Sequence, residues 1–353
     1  MSVAHNLIAA LGLAVLMVVH EGGHYLAARR YGMRVIRFSI GFGPTIWKHR
    51  PKGSPTVFQV AIIPFLAYVQ IAGMNPYEEQ DPKDTGSYAN APLWGRIVTI
   101  AAGPLANYFF ASVLMFIGFL IAGRTDVDDQ SMHITVMQES PAAAAGMRDN
   151  DKIVAVNGEA IHNWDELRQA VGKHAGEPID VTIERDGQTE IKHPTVAAKG
   201  EKSKSGDSIE GKILIGTPVR VTKIGVGQAA LLSVTEPPKV VYELVKGLGL
   251  WITGKTKAEL SGPVGIVRTV GGAVERGAGD TFKLLGMLSA YLGGFNLLPI
   301  PALDGGRLLF LLFEATSRRK PDAKIEARIH AVGLLLMLGL IAFVTYSEIM
   351  PKH

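Results

Sequence analysis

The stretch VLMVVHEGGHYLAARRYG, residues 15–32, places two histidines and a glutamate in a segment otherwise apolar enough to cross a bilayer. Ionisable side chains are rare in hydrocarbon because their desolvation is costly, and those that occur there usually have a function. His20, Glu21 and His24 lie within five residues of one another, so their desolvation costs add. The stretch therefore predicts a functional site within a membrane span.

The composition indicates a membrane protein. Of the 353 residues, 47% are hydrophobic and only 19% are charged, which is more apolar than a typical soluble chain. Four segments are apolar over at least roughly the 20 residues that a helix needs to cross the bilayer. They are residues 5–27, 96–123, 283–314 and 329–347. We therefore expect a polytopic α-helical membrane protein with four transmembrane helices.

The chain between the second and third spans has a different character. About 160 residues there are rich in charge, Gly and Pro, too polar for the bilayer and long enough for a small soluble domain. The predicted organisation has four parts: an N-terminal membrane half, 1–123; an inserted domain, 124–220; a linker with an amphipathic surface helix, 221–282; and a C-terminal membrane half, 283–353.

Positive charges next to the spans predict the orientation, because cytoplasmic loops retain Lys and Arg. They follow the first span and fill the loop between the third and fourth: Arg29, Arg30, Arg34, Arg37, Lys48, Arg50 and Lys52, then Arg318, Arg319, Lys320, Lys324 and Arg328. Both loops should be cytoplasmic, which puts both termini and the insert on the far side, the periplasm of a Gram-negative cell. The net charge of +4 thus reflects topology, and no nucleic-acid partner is expected.

His20, Glu21 and His24 have the spacing H-E-x-x-H. On a helix, residues four apart lie on one face, so both imidazoles can reach one metal ion while Glu21 projects beside it as a general base. The chain has no cysteine, so any metal must be held by His, Asp or Glu. The alternative is a pair of buried histidines hydrogen-bonded to neighbouring helices.

A catalytic zinc usually has three protein ligands, and Asp304 is the candidate for the third. It is the only acid in FNLLPIPALDGGRLLFLL, residues 295–312, where Pro299 and Pro301 prevent a regular helix. His24 and Asp304 both fall on the cytoplasmic half of their spans, which allows shared coordination. Two alternatives remain: a turn acid before Gly-Gly, or an ion pair with Arg307.

Five motifs occur along the chain: HEGGH (20–24), RFSIGFGP (37–44), AAGPLANYFF (101–110), SGPVGIVRTV (261–270) and NLLPIPALDGG (296–306). In these motifs and their order the chain resembles the site-2 proteases, which are intramembrane zinc metalloproteases, and specifically the bacterial regulator-of-sigma-E protease type. The resemblance implies Zn²⁺ held by His20, His24 and Asp304, with Glu21 as the catalytic acid and base. It implies cleavage of a transmembrane substrate in the inner membrane, such as an anti-sigma factor or a signal-peptide remnant.

Residues 34–71 predict β-structure next to the site. RVIRFSI and TVFQVAII are rich in β-branched and aromatic residues and flank a Gly/Pro-rich turn. An exposed strand edge could hold an unwound substrate in an extended form, whereas the alternative is an ordinary cytoplasmic hairpin. By resemblance, Gly41 and Gly43 belong to a membrane re-entrant β-loop and Asn296 contacts the substrate. Asn107 is a further candidate contact, although helix packing is its simpler interpretation.

The insert resembles a PDZ domain of the bacterial, circularly permuted kind. Residues 139–171 predict a helix, a strand, a turn at Asn157 and Gly158, and a second helix, and a hairpin then turns at Asp186 and Gly187. Such a domain would bind exposed C-termini or act as a size filter. Residues 231–254 suit a helix lying on membrane lipid, with Trp251 as an anchor.

Two functions from other classes remain as alternatives to the protease. A metal transporter would also place His and Asp within its spans, but it would distribute ligands along a path and would need no glutamate between histidines. A catalytically inactive PDZ membrane scaffold would keep the insert and tolerate loss of Glu21.

Overall fold

The structure is a computed structural model that describes residues 3–75, 77–78, 81–127, 131–137, 140–198, 211–216, 219–254 and 262–350. The chain divides into two compact units. One comprises the residues up to Gly123 and those from Ile224 onward, and the other is Arg124–Lys223.

The N-terminal part of the first unit contains two long helices with a twisted β-sheet between them in sequence. The elements are α1 (Val3–Arg30), β1 (Val35–His49), β2 (Val57–Ile71) and α2 (Leu93–Ala122). Helices α1 and α2 are both long and apolar enough to cross a membrane. They coincide with the first two predicted spans.

Strands β1 and β2 are each 15 residues long and pair antiparallel with several shifts of register. Ile40 pairs with both Val60 and Ala67, so the first half of β1 lies between two segments of β2. Gly41 and Gly43 have φ of 91° and 93°, which bends β1 so that its second half pairs with β2 again. Glycine adopts this backbone region at no steric cost.

The second unit, Arg124–Lys223, has its own core. Its elements are β3 (Arg124–Val127), β4 (Thr135–Val136), α3 (Pro141–Ala144), β5 (Lys152–Val156), β6 (Glu159–Ala160), α4 (Trp164–Gly172), β7 (Val181–Arg185), β8 (Gln188–Lys192), β9 (Ile215–Gly216) and β10 (Val219–Thr222). Strands β6-β5-β7-β8 form one sheet in that order, and β3 pairs with β10 and β4 with β9. Ile153, Val181 and Ile183 are almost fully buried in its core.

The C-terminal part of the first unit is helical: α5 (Val226–Ile252), α6 (Pro263–Arg276), α7 (Ala278–Asn296), α8 (Asp304–Ser317) and α9 (Ala323–Ile349). Of these, α9 is long and apolar enough to cross a membrane. Between residues 221 and 282 the sequence predicts a linker with one helix, whereas the described residues form α5, α6 and the start of α7. Helix α5 packs against α2 and α7.

The third predicted span, 283–314, is not a continuous helix. Helix α7 ends at Asn296, and α8 begins at Asp304. Pro299 and Pro301 have no amide hydrogen to donate, and Ala302 is left-handed with φ of 75°, so the intervening segment cannot continue as a regular α-helix. The break places Asp304 at the start of a helix.

Small residues allow the helices of this unit to pack closely. A Cβ at Gly293 would lie 2.7 Å from the carbonyl oxygen of Pro104, and one at Gly23 would lie 2.2 Å from that of Ala102. Such contacts are the usual means of close helix association in membranes. They draw α1 and α7 onto α2, which brings the ends of the functional segments together.

Candidate metal centre

Helix α1 and the N-terminus of α8 bring three ligating groups together. Asp304 Oδ2 lies 3.1 Å from His20 Nε2 and 3.3 Å from His24 Nε2, and the two Nε2 atoms are 3.3 Å apart. Ligand atoms held about 2.0–2.1 Å from a tetrahedral zinc lie about 3.3 Å from one another. The three atoms therefore have the mutual spacing that a zinc ion requires.

The hydrogen bonds of the site leave these three atoms facing one another. His24 Nδ1 donates to the Thr99 carbonyl oxygen over 2.8 Å, so a neutral ring has its lone pair on Nε2. Asp304 Oδ2 and His20 Nδ1 are buried and make no hydrogen bond within the described part of the chain. Electron-rich atoms crowded in this way repel one another unless a proton or a metal cation lies between them. The donor set of two imidazoles and one carboxylate thus fits Zn²⁺.

Helix α2 forms one wall of the centre. A Cβ at Gly103 would lie 2.2 Å from His24 Nε2, so only glycine leaves room for the ring. His20 and His24 are 5% and 8% exposed, and the Asp304 side chain is 17% exposed. The site is enclosed by protein, with a limited opening on the side of the carboxylate.

Glu21 lies beside the three candidate ligands. It is half-buried, interacts electrostatically with His20, His24 and Asp304, and faces the backbone amide of Val69 in β2. A Cβ at the neighbouring Gly22 would meet nothing within 4 Å. The carboxylate is therefore placed between the centre and the sheet, where it can exchange a proton with a group bound at the centre.

Comparisons with known proteins decide the family. The family model described as Peptidase family M50 matches residues 8–340. The chain belongs to peptidase family M50. This confirms the predicted relationship to the site-2 proteases and identifies the chain as a metallopeptidase.

Relatives of this M50 peptidase match over nearly their whole length. A candidate zinc metalloprotease of Agrobacterium fabrum is 33% identical, with 96% of this chain and 94% of the relative covered. One from Nostoc is 30% identical, with 95% and 93% covered. The zinc metalloprotease RasP of Geobacillus kaustophilus is 30% identical, with 95% of each chain covered.

The candidate substrate contacts of this M50 peptidase have different surroundings. Asn107 is fully buried, and its side-chain amide has no hydrogen-bond partner among the described residues. It lies one helical turn after Gly103. Asn296 is half-buried and donates to the Leu292 carbonyl oxygen of its own helix over 2.9 Å. Gly41 and Gly43 lie at the bend of β1, where the backbone itself requires glycine.

The structure also reveals contacts that the sequence reasoning missed. Thr99 orients His24 through its backbone carbonyl, which no side-chain pattern reports. His330 accepts a hydrogen bond from the Ala302 amide, just before Asp304. Arg96 and Glu314 form a buried ion pair between α2 and α8. The sequence indicates the last two contacts only by placing ionisable residues within apolar helices, where such residues usually have partners.

Proposed function

We propose that this protein is an intramembrane zinc metalloprotease that hydrolyses a peptide bond within the transmembrane segment of a substrate protein. The observation that carries the proposal is the spacing of 3.1 to 3.3 Å among His20 Nε2, His24 Nε2 and Asp304 Oδ2. These atoms belong to a chain of the M50 peptidase family. Helix α1, which contains both histidines, is long and apolar enough to span a bilayer.

His20, His24 and Asp304 would hold the zinc. When bound, the ion polarises the scissile carbonyl and acidifies a water molecule. The Thr99 carbonyl, by accepting from His24 Nδ1, keeps the imidazole in the tautomer and orientation that ligation needs. Asp304 contributes a negative charge that balances part of the charge of the ion.

Glu21 would act as general base and then as general acid. Its carboxylate takes a proton from the attacking water and delivers it to the leaving amine. This step requires a carboxylate next to the metal but not bound to it, and the half-buried Glu21 faces both the ligands and Val69 of β2. Positioned proton transfer of this kind typically contributes about 10²–10⁴-fold to a rate.

The sheet β1–β2 would hold the substrate in an extended form. A transmembrane helix hides its carbonyl groups in internal hydrogen bonds, so it must unwind before cleavage. Tyr68, Val69, Gln70 and Ile71 line a cavity of about 840 Å³ together with Ala302 and His330. A substrate strand that adds to this edge would satisfy its backbone polar groups. Asn296 is a candidate for a contact with the unwound segment, whereas the fully buried Asn107 would reach it only after a rearrangement of α2 and α7.

We further infer four membrane crossings. Helices α1, α2 and α9 would each span, and α7 with the broken segment and α8 would form the third crossing. Non-helical backbone at membrane depth is tolerated where it is buried in protein, and Gly305 meets the Leu298 carbonyl oxygen so closely that a Cβ would lie 2.1 Å from it. The positive loops would be cytoplasmic, with the insert and both termini periplasmic.

The unit Arg124–Lys223 would be a PDZ domain. This assignment is supported by the combination of a short helix, α3, a longer helix, α4, and the sheet β6-β5-β7-β8. It would bind an exposed C-terminus or exclude large substrates. By family resemblance the substrate would be an anti-sigma factor or a signal-peptide remnant in the inner membrane. The transporter and scaffold alternatives are not favoured, because one compact centre with an adjacent glutamate suits hydrolysis.

The test uses the full chain, purified in detergent and reconstituted with a single-span model substrate. We expect Glu21→Gln to retain zinc and to lose cleavage by about 10²-fold or more, and Asp304→Asn to lose zinc. Glu243→Gln, at an exposed position of α5, should retain both properties. Full cleavage by Glu21→Gln would eliminate the mechanism, and undiminished zinc in Asp304→Asn would remove Asp304 from the ligand set.

A further inference from the structure

His330 in α9 makes a hydrogen bond to the segment that leads into Asp304. The backbone amide of Ala302 donates to His330 Nδ1 over 2.9 Å. Ala302 has φ of 75°, a conformation that a residue with a side chain adopts only when its surroundings impose it. Because Ala302 is two residues before Asp304, a change in its backbone would move the carboxylate.

The ring of His330 lies against the start of α8, and the helix around it lies against Pro301. A Cβ at Gly306 would lie 3.1 Å from His330 Cε1, and one at Gly333, a helical turn after His330, would lie 2.5 Å from Pro301 Cβ. Elsewhere α9 is scarcely covered, since 6% of its most apolar window is buried. The contact between α9 and residues 301–302 is therefore a specific one rather than part of a broad packed face.

The remaining hydrogen bonds of the segment are local. The amides of Leu298, Ile300 and Leu303 donate to carbonyl oxygens of residues 295, 298 and 300 respectively. Among the described residues of this segment, the Ala302 amide is the one that donates to a side chain of another helix. Local turns alone do not orient the segment relative to α1. The contact with α9 can supply this orientation.

We propose that His330 is a positioning residue for the metal centre, holding residues 297–303 in the shape that directs Asp304 Oδ2 toward His20 and His24. This positioning role rests on the proposed function, because it concerns the geometry of the proposed zinc site. Accepting through Nδ1 leaves the ring proton on Nε2, and Nε2 is buried with no hydrogen-bond partner in the described residues. The fourth predicted span thus contributes to the site without touching the ion.

The experiment compares three substitutions in the full chain in detergent. His330→Ala removes the acceptor, His330→Asn places an amide oxygen near the position of Nδ1, and His330→Gln places one nearer to that of Nε2. Leu336→Ala is the matched control on α9, since Leu336 is 71% exposed. The readouts are hydrogen exchange of residues 297–303 in zinc-free protein, zinc affinity in competition with a chelator, and cleavage.

We expect His330→Ala and His330→Gln to exchange the Ala302 amide faster and to bind zinc about 10–100-fold more weakly, the usual effect of losing a group that orients a ligand. His330→Asn and Leu336→Ala should stay close to the unsubstituted protein. If His330→Ala fails to fold, the zinc affinities of His330→Asn and His330→Gln test the proposal by themselves.

Equal zinc affinity in all variants, or an Asn variant as impaired as the Ala variant, would overturn the proposal. Zinc affinity that depends on His330 in a protein that cleaves nothing would instead reject the proteolytic function and leave the positioning role intact.

Discussion

Single glycines decide whether the ligating side chains can approach one another. Gly103 lets the α2 backbone approach His24 Nε2 so closely that a Cβ would lie 2.2 Å from it. Gly22 lies two residues before His24, and a Cβ there would meet nothing within 4 Å. A side chain is therefore excluded at Gly103 but has room at Gly22, although both glycines are close to His24.

Gly103→Ala should displace the His24 ring, because the added Cβ would lie 2.2 Å from Nε2 and 2.5 Å from Cε1, well inside van der Waals contact. We expect zinc affinity to fall by about 10-fold or more, measured by competition with a chelator. Gly22→Ala is the control: it should keep zinc affinity and stabilise α1 by up to about 1 kcal/mol. A Gly103→Ala protein that binds zinc normally would contradict the geometry of this wall.

At the scale of elements, a buried ion pair joins α2 to α8. Arg96 donates to both carboxylate oxygens of Glu314, with Nη1 2.9 Å from Oε2, and its Nε donates to the Ala91 carbonyl oxygen. The residues are 7% and 8% exposed. Since α8 begins at Asp304, the pair fixes the far end of the helix whose start holds the candidate ligand.

Glu314→Ala would leave the Arg96 guanidinium buried without its partner, which should destabilise the fold by about 3–5 kcal/mol. The double substitution Arg96→Met with Glu314→Met should recover most of that loss, because no charge stays buried. Unfolding in mixed micelles with increasing sodium dodecyl sulfate measures both. Glu243→Ala breaks the exposed pair with Lys246 and should change little. A double variant as unstable as the single one would refute this explanation.

In the second unit, Asp151, directly before β5, is bonded to Arg185 at the end of β7. Arg185 donates to it from Nε over 2.7 Å and from Nη2 over 2.8 Å, and the Arg148 amide donates over 2.8 Å. Burial alone would raise the pKa of the Asp151 carboxyl, but these hydrogen bonds outweigh burial and leave that pKa below its ordinary value. A depressed pKa in the folded state means that the charged carboxylate stabilises the fold.

That stabilisation should be complete above the pKa of an unfolded aspartate, about 3.9, and should disappear as the pH falls through the lower folded-state value. Asp151→Asn should therefore destabilise the insert at pH 7, by about 2–3 kcal/mol, and by less below about pH 4. Hydrogen exchange of β5 and β7 in the full chain, corrected for intrinsic rates, measures this. Asp165→Asn, on an exposed pair, is the control. A pH-independent difference would contradict the assignment.

At the scale of the whole molecule, the uneven distribution of Lys and Arg along the chain supports the proposed orientation in the membrane. Lys and Arg cluster after α1 and between α8 and α9. The separate unit Arg124–Lys223 follows α2 and precedes α5 along the chain. The chain contains no cysteine, so one introduced thiol reports the side on which it lies.

Single cysteines at three exposed positions test the proposed topology: Lys52→Cys, Glu159→Cys and Arg319→Cys. In spheroplasts of a bacterial host, a membrane-impermeant maleimide should label Glu159→Cys at once. The other two should react only after the membrane is permeabilised, because positive loops stay cytoplasmic. Retained cleavage activity in each variant is the control for folding. Labelling of all three before permeabilisation would reject the four crossings.

Patterns of neighbouring residues were enough to predict the local features of this protein. The i, i+4 spacing of His20 and His24 puts two imidazoles on one face of any helix, and the turn signals at Asn157 and Asp186 precede glycines with φ of 81° and 77°. The lengths of α1, α2 and α9 follow from the lengths of the apolar runs in the sequence. Proline in the third span signalled a break there, since helices cannot use an amide that is missing.

Only the tertiary structure decided which distant groups meet. His24 reaches Thr99 across 75 positions, Ala302 reaches His330 across 28, and Arg96 reaches Glu314 across 218. Helical periodicity tells which face a side chain occupies, but it does not tell which helix lies against that face. That choice depends on the close packing of α1, α7 and α8 around α2, where the fit of glycines against backbone determines the partners.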